Sequence, residues 1–276
     1  MNIEALEKKA REIRATCIQM ACDGRVGHLS SSLGYVDVLV ALYYGWLKTF
    51  PGDQANPGRD RFILSKGHGC ASLYAVLADR GFFPAERLTE YNKEGSCLPN
   101  HPCIHALPSV EMSSGSLGHG LGVATGILYG LRLRGSGARA AVLLGDGECN
   151  EGSVWESAMC AAAHKLDNLL AVVDYNGVQA VGKSDEIMGH TSLEEKFRSF
   201  GWAARTIDGS DMKAVTAALA AFPFEKGKPS AIIAKTKIGV SFMEGDVLWH
   251  YRVPSEEERV KALAELGAKP LYGVKP

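Results

Sequence analysis

The chain has 276 residues, 46% of them hydrophobic, and a formal net charge of −1 at neutral pH. Mixed charges beside so large an apolar fraction specify a globular protein with a sizeable core, built as one large domain or two ordinary ones. The near-neutral balance provides no clustered basic surface of the kind that nucleic acid or an acidic membrane requires.

The first twenty residues place Ile3, Leu6, Ala10, Ile13, Cys17 and Met20 at alternating spacings of three and four, which predicts an amphipathic helix. That segment is too charged for a secretion signal, so the seven cysteines are expected to be reduced thiols in a cytoplasmic protein. Strands are expected at RFILS (61–65), RAAVLLG (139–145), NLLAVVD (168–174), WAARTID (202–208) and SAIIAKT (230–236). Helices are expected between them at 70–80, 117–133, 153–166 and 211–222. The stretch 117–133 is the most apolar long segment, but His119, Arg132 and its glycines exclude a membrane span. Apolar strands alternating with helices predict an α/β fold: three α/β/α layers around a mostly parallel central sheet, with residues 1–276 forming one domain.

Ligands of such sheets sit beyond the carboxyl ends of the strands. GHLSS (27–31), SKGHG (65–69), PNHP (99–102), GDGECNEG (145–152) and DYNGVQ (174–179) all fall near strand ends or in turns, and KTKIGVSFMEGDVLWH (235–250) follows the last strand. They are expected to form a single site. In GDGECNEG, Gly147 lets the main chain approach an anion, and the next helix offers free N–H groups. Asn176 follows Asp146 by 30 residues, a turn, a helix and a strand later. If the two strands are neighbours, the carboxylate and the amide meet at one sheet edge. With a main-chain carbonyl they would hold a hard divalent ion carrying a diphosphate. Taken alone, GDG is also compatible with an ordinary tight turn. A dinucleotide fold is excluded by the glycine spacing.

His28, His68, His101 and His250 lie in loops bounded by Gly, Ser or Pro, and imidazoles there can bind phosphate oxygens and move protons. Gly115-Ser116-Leu117-Gly118 is a small-residue turn suited to close contact with a ring. Cys97, His101, Cys103 and His105 are zinc-ligand types, but their spacing is not that of a standard knuckle. Trp155 and His164 are expected to pack, and Glu194, Glu195 and Lys196 to form a solvated face.

From GHLSSSLG (27–34) to WHYRVPSEEE (249–258) the chain resembles the N-terminal, diphosphate-binding half of transketolase, a thiamine diphosphate enzyme. GDGECNEGSVWE followed by DYNGVQ is similar to the thiamine diphosphate signature. RDRFILSKGHGCASLY, LPNHP, SSGSLGHGLGVATG and KTKIGVSF match further blocks in order. The resemblance implies that Asp146, Asn176 and the carbonyl of Val178 hold Mg2+. It places Gly147, His68 and His250 on the diphosphate and Gly115 and Leu117 against the cofactor rings, with Ser116, Gly145 and Glu148 in the same cofactor-binding set. His101 would meet the donor's C1 hydroxyl, His28 and His250 would move protons on donor and acceptor hydroxyls, and Glu151 and Glu156 would link paired half-sites. His28, His68, His101, His250, Glu151 and Glu156 thus form the expected catalytic set.

Three positions depart from the family. Tyr251 stands for a usual Gly, Ala180 for a bulky aliphatic that props the cofactor, and Ser210 for a usual histidine. The pyrimidine-binding domain, which carries the glutamate that activates the aminopyrimidine, is missing from the 276 residues. The resemblance therefore implies the N-terminal subunit of a split transketolase, paired with a C-terminal subunit in an α2β2 heterotetramer. It would move a two-carbon ketol unit between sugars or sugar phosphates. The alternatives are another thiamine enzyme (an α-ketoacid decarboxylase or dehydrogenase, or a deoxyxylulose phosphate synthase) or a non-catalytic, cofactor-binding subunit.

Overall fold

A computed structural model describes residues 1–273 apart from Ala180 and His190, so the Ala180 departure lies outside the described residues. The chain opens with α1 (Ile3–Gly24), α2 (Leu29–Leu33) and α3 (Val36–Ala41). Strand β1 (Arg61–Leu64) leads into α4 (Cys70–Asp79), and α5 (Gly120–Leu133) precedes β2 (Ala140–Gly145). Then come α6 (Gly152–Ala163), β3 (Leu169–Tyr175) and a short hairpin of β4 (Val178–Gln179) and β5 (Gly182–Lys183). The remainder is α7 (Ser184–Met188), α8 (Leu193–Ser199), β6 (Ala203–Asp208), α9 (Met212–Ala220), β7 (Ser230–Lys235) and α10 (Glu256–Leu266).

Five strands form one parallel sheet in the order β1-β2-β3-β7-β6. Successive side chains along a strand point to opposite faces, so a continuous apolar run can fill two cores at once. Strand β2 does so: Ala141 and Leu143 join the core beneath α1, α3, α4 and α9, while Ala140, Val142 and Leu144 join the core beneath α5, α6 and α8. Leu170 and Val172 of β3 face the first core, and Ala171 and Val173 face the second. These are the three layers expected from the sequence. The edge strand β6 is fully buried only at Ala203 and Ala204; beyond them Arg205 and Thr206 are exposed, and Ile207 packs partly against the core.

Each expected strand is present within a residue of its limits, whereas helix ends shift for identifiable reasons. Helix α5 starts at Gly120, not 117, because Gly118 sits at φ +84°, a left-handed conformation that ends helical geometry before it begins. Helix α10 is fixed by a capping box in which Ser255 and Glu258 exchange side-chain and main-chain hydrogen bonds. A buried ion pair of Arg14 with Asp37, 2.5 Å, ties α1 to α3, and Arg14 also donates to the Ile238 carbonyl at 3.1 Å. That bond anchors the segment running from β7 towards His250. Among the described residues, no helix is long and apolar enough to cross a membrane.

Candidate functional site

Strands β2 and β3 are neighbours, with Gly145 opposite Asp174, so the loops after them leave the sheet side by side. The main chain crosses between them where the Asp146 N–H donates to the Asp174 carbonyl at 3.2 Å. Asp146 is buried. One carboxylate oxygen accepts the Gly147 N–H at 2.9 Å, and the other accepts the Gly177 N–H at 3.0 Å and the Ser184 hydroxyl at 2.7 Å. Asn176 Oδ1 accepts the Val178 N–H at 2.9 Å. The Asp146 carboxylate, the Asn176 amide and Val178 therefore line one cleft. Carboxylate, amide and main-chain carbonyl oxygens are the set a hard cation accepts when phosphate completes its shell. Burial raises the Asp146 carboxyl above its ordinary value, and a divalent cation on it would reverse that penalty.

Asp146, Gly147, Glu148, Glu151, Asn176 and Val178 line a cleft of about 360 Å³ together with Gly145, Leu117, His68 and His250. Its floor carries a cation that sequence reasoning did not single out. Lys66, from the SKGHG loop, pairs with Asp174 at 2.5 Å, both side chains being almost wholly buried. Thr236 donates its hydroxyl to the other Asp174 oxygen, and the Tyr35 ring lies 5.1 Å from the ammonium. The only hint in the sequence was a lysine directly after a buried strand, where it needs a partner.

The four loop histidines converge. The His28 ring lies 5.0 Å from His250, 5.4 Å from His68 and 6.3 Å from His101, and His68 lies 5.6 Å from His250. They come from the loops before α2, after β1, before α5 and after β7. His28 is held at φ 62°, and its N–H donates to the His250 carbonyl at 2.8 Å, so two distant loops are locked together at the main chain. Ser31 Oγ lies 3.4 Å from His250 Nδ1. Gly115 lies against the edge of the His101 ring, and neighbouring Ser116 is exposed.

The remaining expected residues divide between positioning and surface. The Glu148 carboxylate accepts the Gly118 N–H at 2.7 Å, the Gly145 N–H at 3.0 Å and the Ser65 hydroxyl, so it joins three loops at the cleft wall. Glu151 stands at the start of α6 on the cleft edge, makes no side-chain capping bond and is exposed. Glu156 lies outside the cleft, on a groove between α5 and α6 that also includes Gly122, Tyr129 and Cys160. Among the described residues no three His, Cys, Asp or Glu side chains gather to hold a metal, so the Cys97–His105 stretch assembles no such site. His164 differs from expectation: it is exposed at the end of α6, with its ring 4.5 Å from Tyr129. Trp155 packs on Phe197 and Phe200.

Burial, reinforced by Lys66 and the neighbouring imidazoles, holds His68 down to about 2. Burial, then His28 and Lys66, holds His250 at about 4. Burial also lowers His28 and His101. The cluster is therefore neutral near pH 7, able to accept a proton or a hydrogen bond. An unfolded imidazole titrates near 6.5, so below about that pH the unfolded state binds protons the folded state refuses. This contribution to stability is complete above about pH 6.5 and falls as the pH drops towards about 4 for His250. Asp146 and Glu148, raised by burial, act in the opposite sense. The expected result is thus a difference: the drop in urea midpoint between about pH 7 and about pH 5 is smaller in His250→Asn than in the parent chain. Equal drops would show that His250 is not held neutral in the folded chain.

Residues 6–271 match the family described as transketolase, thiamine diphosphate binding domain. The chain is 39% identical to one subunit of the apulose-4-phosphate transketolase of Actinobacillus succinogenes, covering 96% of this chain and 97% of that one. It is 38% identical to the 6-deoxy-6-sulfo-D-fructose transketolase subunit SqwG of a Clostridium species, covering 95% of this chain and 96% of that one. Among solved structures it is similar to transketolase from Campylobacter jejuni, with a TM-score of 0.91 at 30% identity, covering 99% of this chain but 44% of that one.

Proposed function

The chain belongs to the transketolase family, whose thiamine diphosphate-binding domain it contains, and we propose that it is the N-terminal subunit of a two-chain transketolase. It transfers a two-carbon ketol unit from a ketose donor to an aldose acceptor, both sugars or sugar phosphates. The observation that carries this reading is the meeting of four imidazoles beside the Asp146–Asn176 edge of the sheet. Relatives matched over 96–97% of their own length are themselves named as subunits of transketolases, which supports a partner chain. In this reading the partner carries the pyrimidine-binding and C-terminal domains, and the assembly is α2β2. The unpaired thiols suit a reducing, cytoplasmic setting.

The residues present fit the cofactor and its metal. Asp146, Asn176 and the Val178 carbonyl would hold Mg2+, and Gly147, His68 and His250 would meet the diphosphate, while the Lys66–Asp174 pair lies buried beside them. Leu117, Gly115 and Ser116 would lie along the rings. When bound, thiamine diphosphate supplies the nucleophile and electron sink on which carbon–carbon bond cleavage depends. The protein supplies position and protons. His101 orients the donor's C1 hydroxyl, and neutral His28 and His250 take protons from sugar hydroxyls and return them. Glu151 and Glu156 face the partner and link the two half-sites.

Replacing His101 by alanine tests this assignment. In the assembled enzyme, turnover is expected to fall by about 10²–10⁴, the usual contribution of a positioned proton-transfer group, while thiamine diphosphate affinity stays near the parent value. Ketol transfer remaining within about threefold of the parent would remove His101 from the reaction.

A further inference from the structure

Tyr251 follows His250 directly and is 59% exposed, although its ring stands 5.0 Å from the His250 ring and 5.9 Å from that of His28. The main chain that carries the ring is held in place on both sides. The Tyr251 N–H donates to the Leu248 carbonyl at 3.0 Å, and the Tyr251 main chain lies so close to Gly27 that a Cβ there would collide with the Tyr251 carbonyl oxygen. Only glycine allows that approach, and the adjacent His28 N–H then bonds to His250. The chain thus holds a large aromatic surface in water at the mouth of its histidine cluster.

The next residue offers no free charge there. The Arg252 guanidinium lies over the Trp249 ring, 4.2 Å from its centroid, and bonds to Glu258. An aromatic face beside a polar, concave site is suited to the C–H-bearing side of a sugar and repels anionic oxygen, because the face of the ring carries partial negative charge.

We infer that Tyr251 is a specificity-determining residue that sets the length of sugar the site accepts: its ring is the wall against which the carbons beyond the transferred two-carbon unit pack. This rests on the ketol-transfer reading above. Short aldoses stack on the ring, and longer ones meet its bulk. Tyr251 takes no proton and is not needed for the chemical step, so its removal acts through binding.

The test uses the assembled two-chain enzyme with one ketose donor and glyceraldehyde, erythrose and ribose as acceptors of three, four and five carbons. Tyr251→Gly is expected to raise the ratio of kcat/KM for ribose over glyceraldehyde by about tenfold, the size of discrimination that a few apolar contacts provide. The change should come mainly from a higher KM for glyceraldehyde and a lower one for ribose, with kcat little altered. Tyr251→Phe should keep the parent ratio within about twofold, since the ring and not the hydroxyl forms the wall. An unchanged ratio in Tyr251→Gly overturns the inference while leaving ketol transfer standing. So does loss of assembly in Tyr251→Gly, which would make the ring a partner contact. Absence of transfer to any acceptor by the parent enzyme would instead sink the functional reading and this inference with it.

Discussion

Asp146→Ala is expected to abolish magnesium-dependent binding of thiamine diphosphate. In the proposed clamp Asp146 is the one charged protein ligand; Asn176 and the Val178 carbonyl contribute only dipoles. Removing even a residue that supports a metal ligand costs roughly 10–100-fold in affinity, so loss of the charged ligand itself should exceed about a hundredfold. A second effect has the same sign. The carboxylate now accepts the Gly177 N–H and the Ser184 hydroxyl, which hold the start of the β4–β5 hairpin and α7 against the β2 turn. Alanine frees both, so the Val178 carbonyl loses its position as well. Asp146→Asn separates the contributions, because it keeps an oxygen for those donors but lacks the charge. Calorimetric titration of each variant complex with cofactor and magnesium decides the matter. Parent-like affinity in the alanine variant removes Asp146 from the metal site.

The pairing behind that prediction was legible because it needs only neighbouring strands. AAVLL and LLAVV are apolar on both faces, so each belongs in the interior of a parallel sheet, and the thirty residues from Asp146 to Asn176 hold one helix between them. Convergence of the histidines was a weaker inference. His250 reaches the cluster through the loop after β7, and β7 inserts between β3 and β6, an order that no local pattern in the sequence encodes. The Lys66–Asp174 pair was missed for a related reason. The two residues are 108 apart in the chain, and the lysine's partner appears only once the loop after β1 is folded over the end of β3. Positive φ at His28 was equally hidden: histidine adopts it more often than most residues, but nothing local in the sequence marks this one, whose N–H bonds to the distant His250 carbonyl. Local pattern thus reports elements and strand ends, whereas burial and long-range main-chain bonds decide which side chains meet.

The 276-residue polypeptide alone is expected to show no ketol transfer and to gain it on addition of a second polypeptide. Its cleft holds the expected ligands for a metal and a diphosphate, yet the solved transketolase it resembles is matched over only 44% of its length. The sequence resemblance assigns the glutamate that activates the aminopyrimidine to the domain that follows. Without such a carboxylate, the proton of the thiazolium would leave too slowly for useful turnover, and a missing acid–base group of this kind removes about 10²–10⁴ in rate before any loss of binding is counted. Surface chemistry agrees. Leu133 of α5 is 73% exposed and Met159 of α6 is 51% exposed, and the groove between these helices that contains Glu156 is lined in part by the Tyr129 ring. Near the cleft, Val181 and Met188 are also mostly in water. Under the proposed two-chain reading, exposed apolar side chains such as these are where a partner chain would be expected to sit. The assay combines the purified chain with magnesium, thiamine diphosphate, a ketose and an aldose, then repeats the mixture with the partner chain. Turnover by the lone homogeneous polypeptide at a rate close to that of the mixture would refute the half-enzyme reading, because the activating acid would then have to lie within these residues.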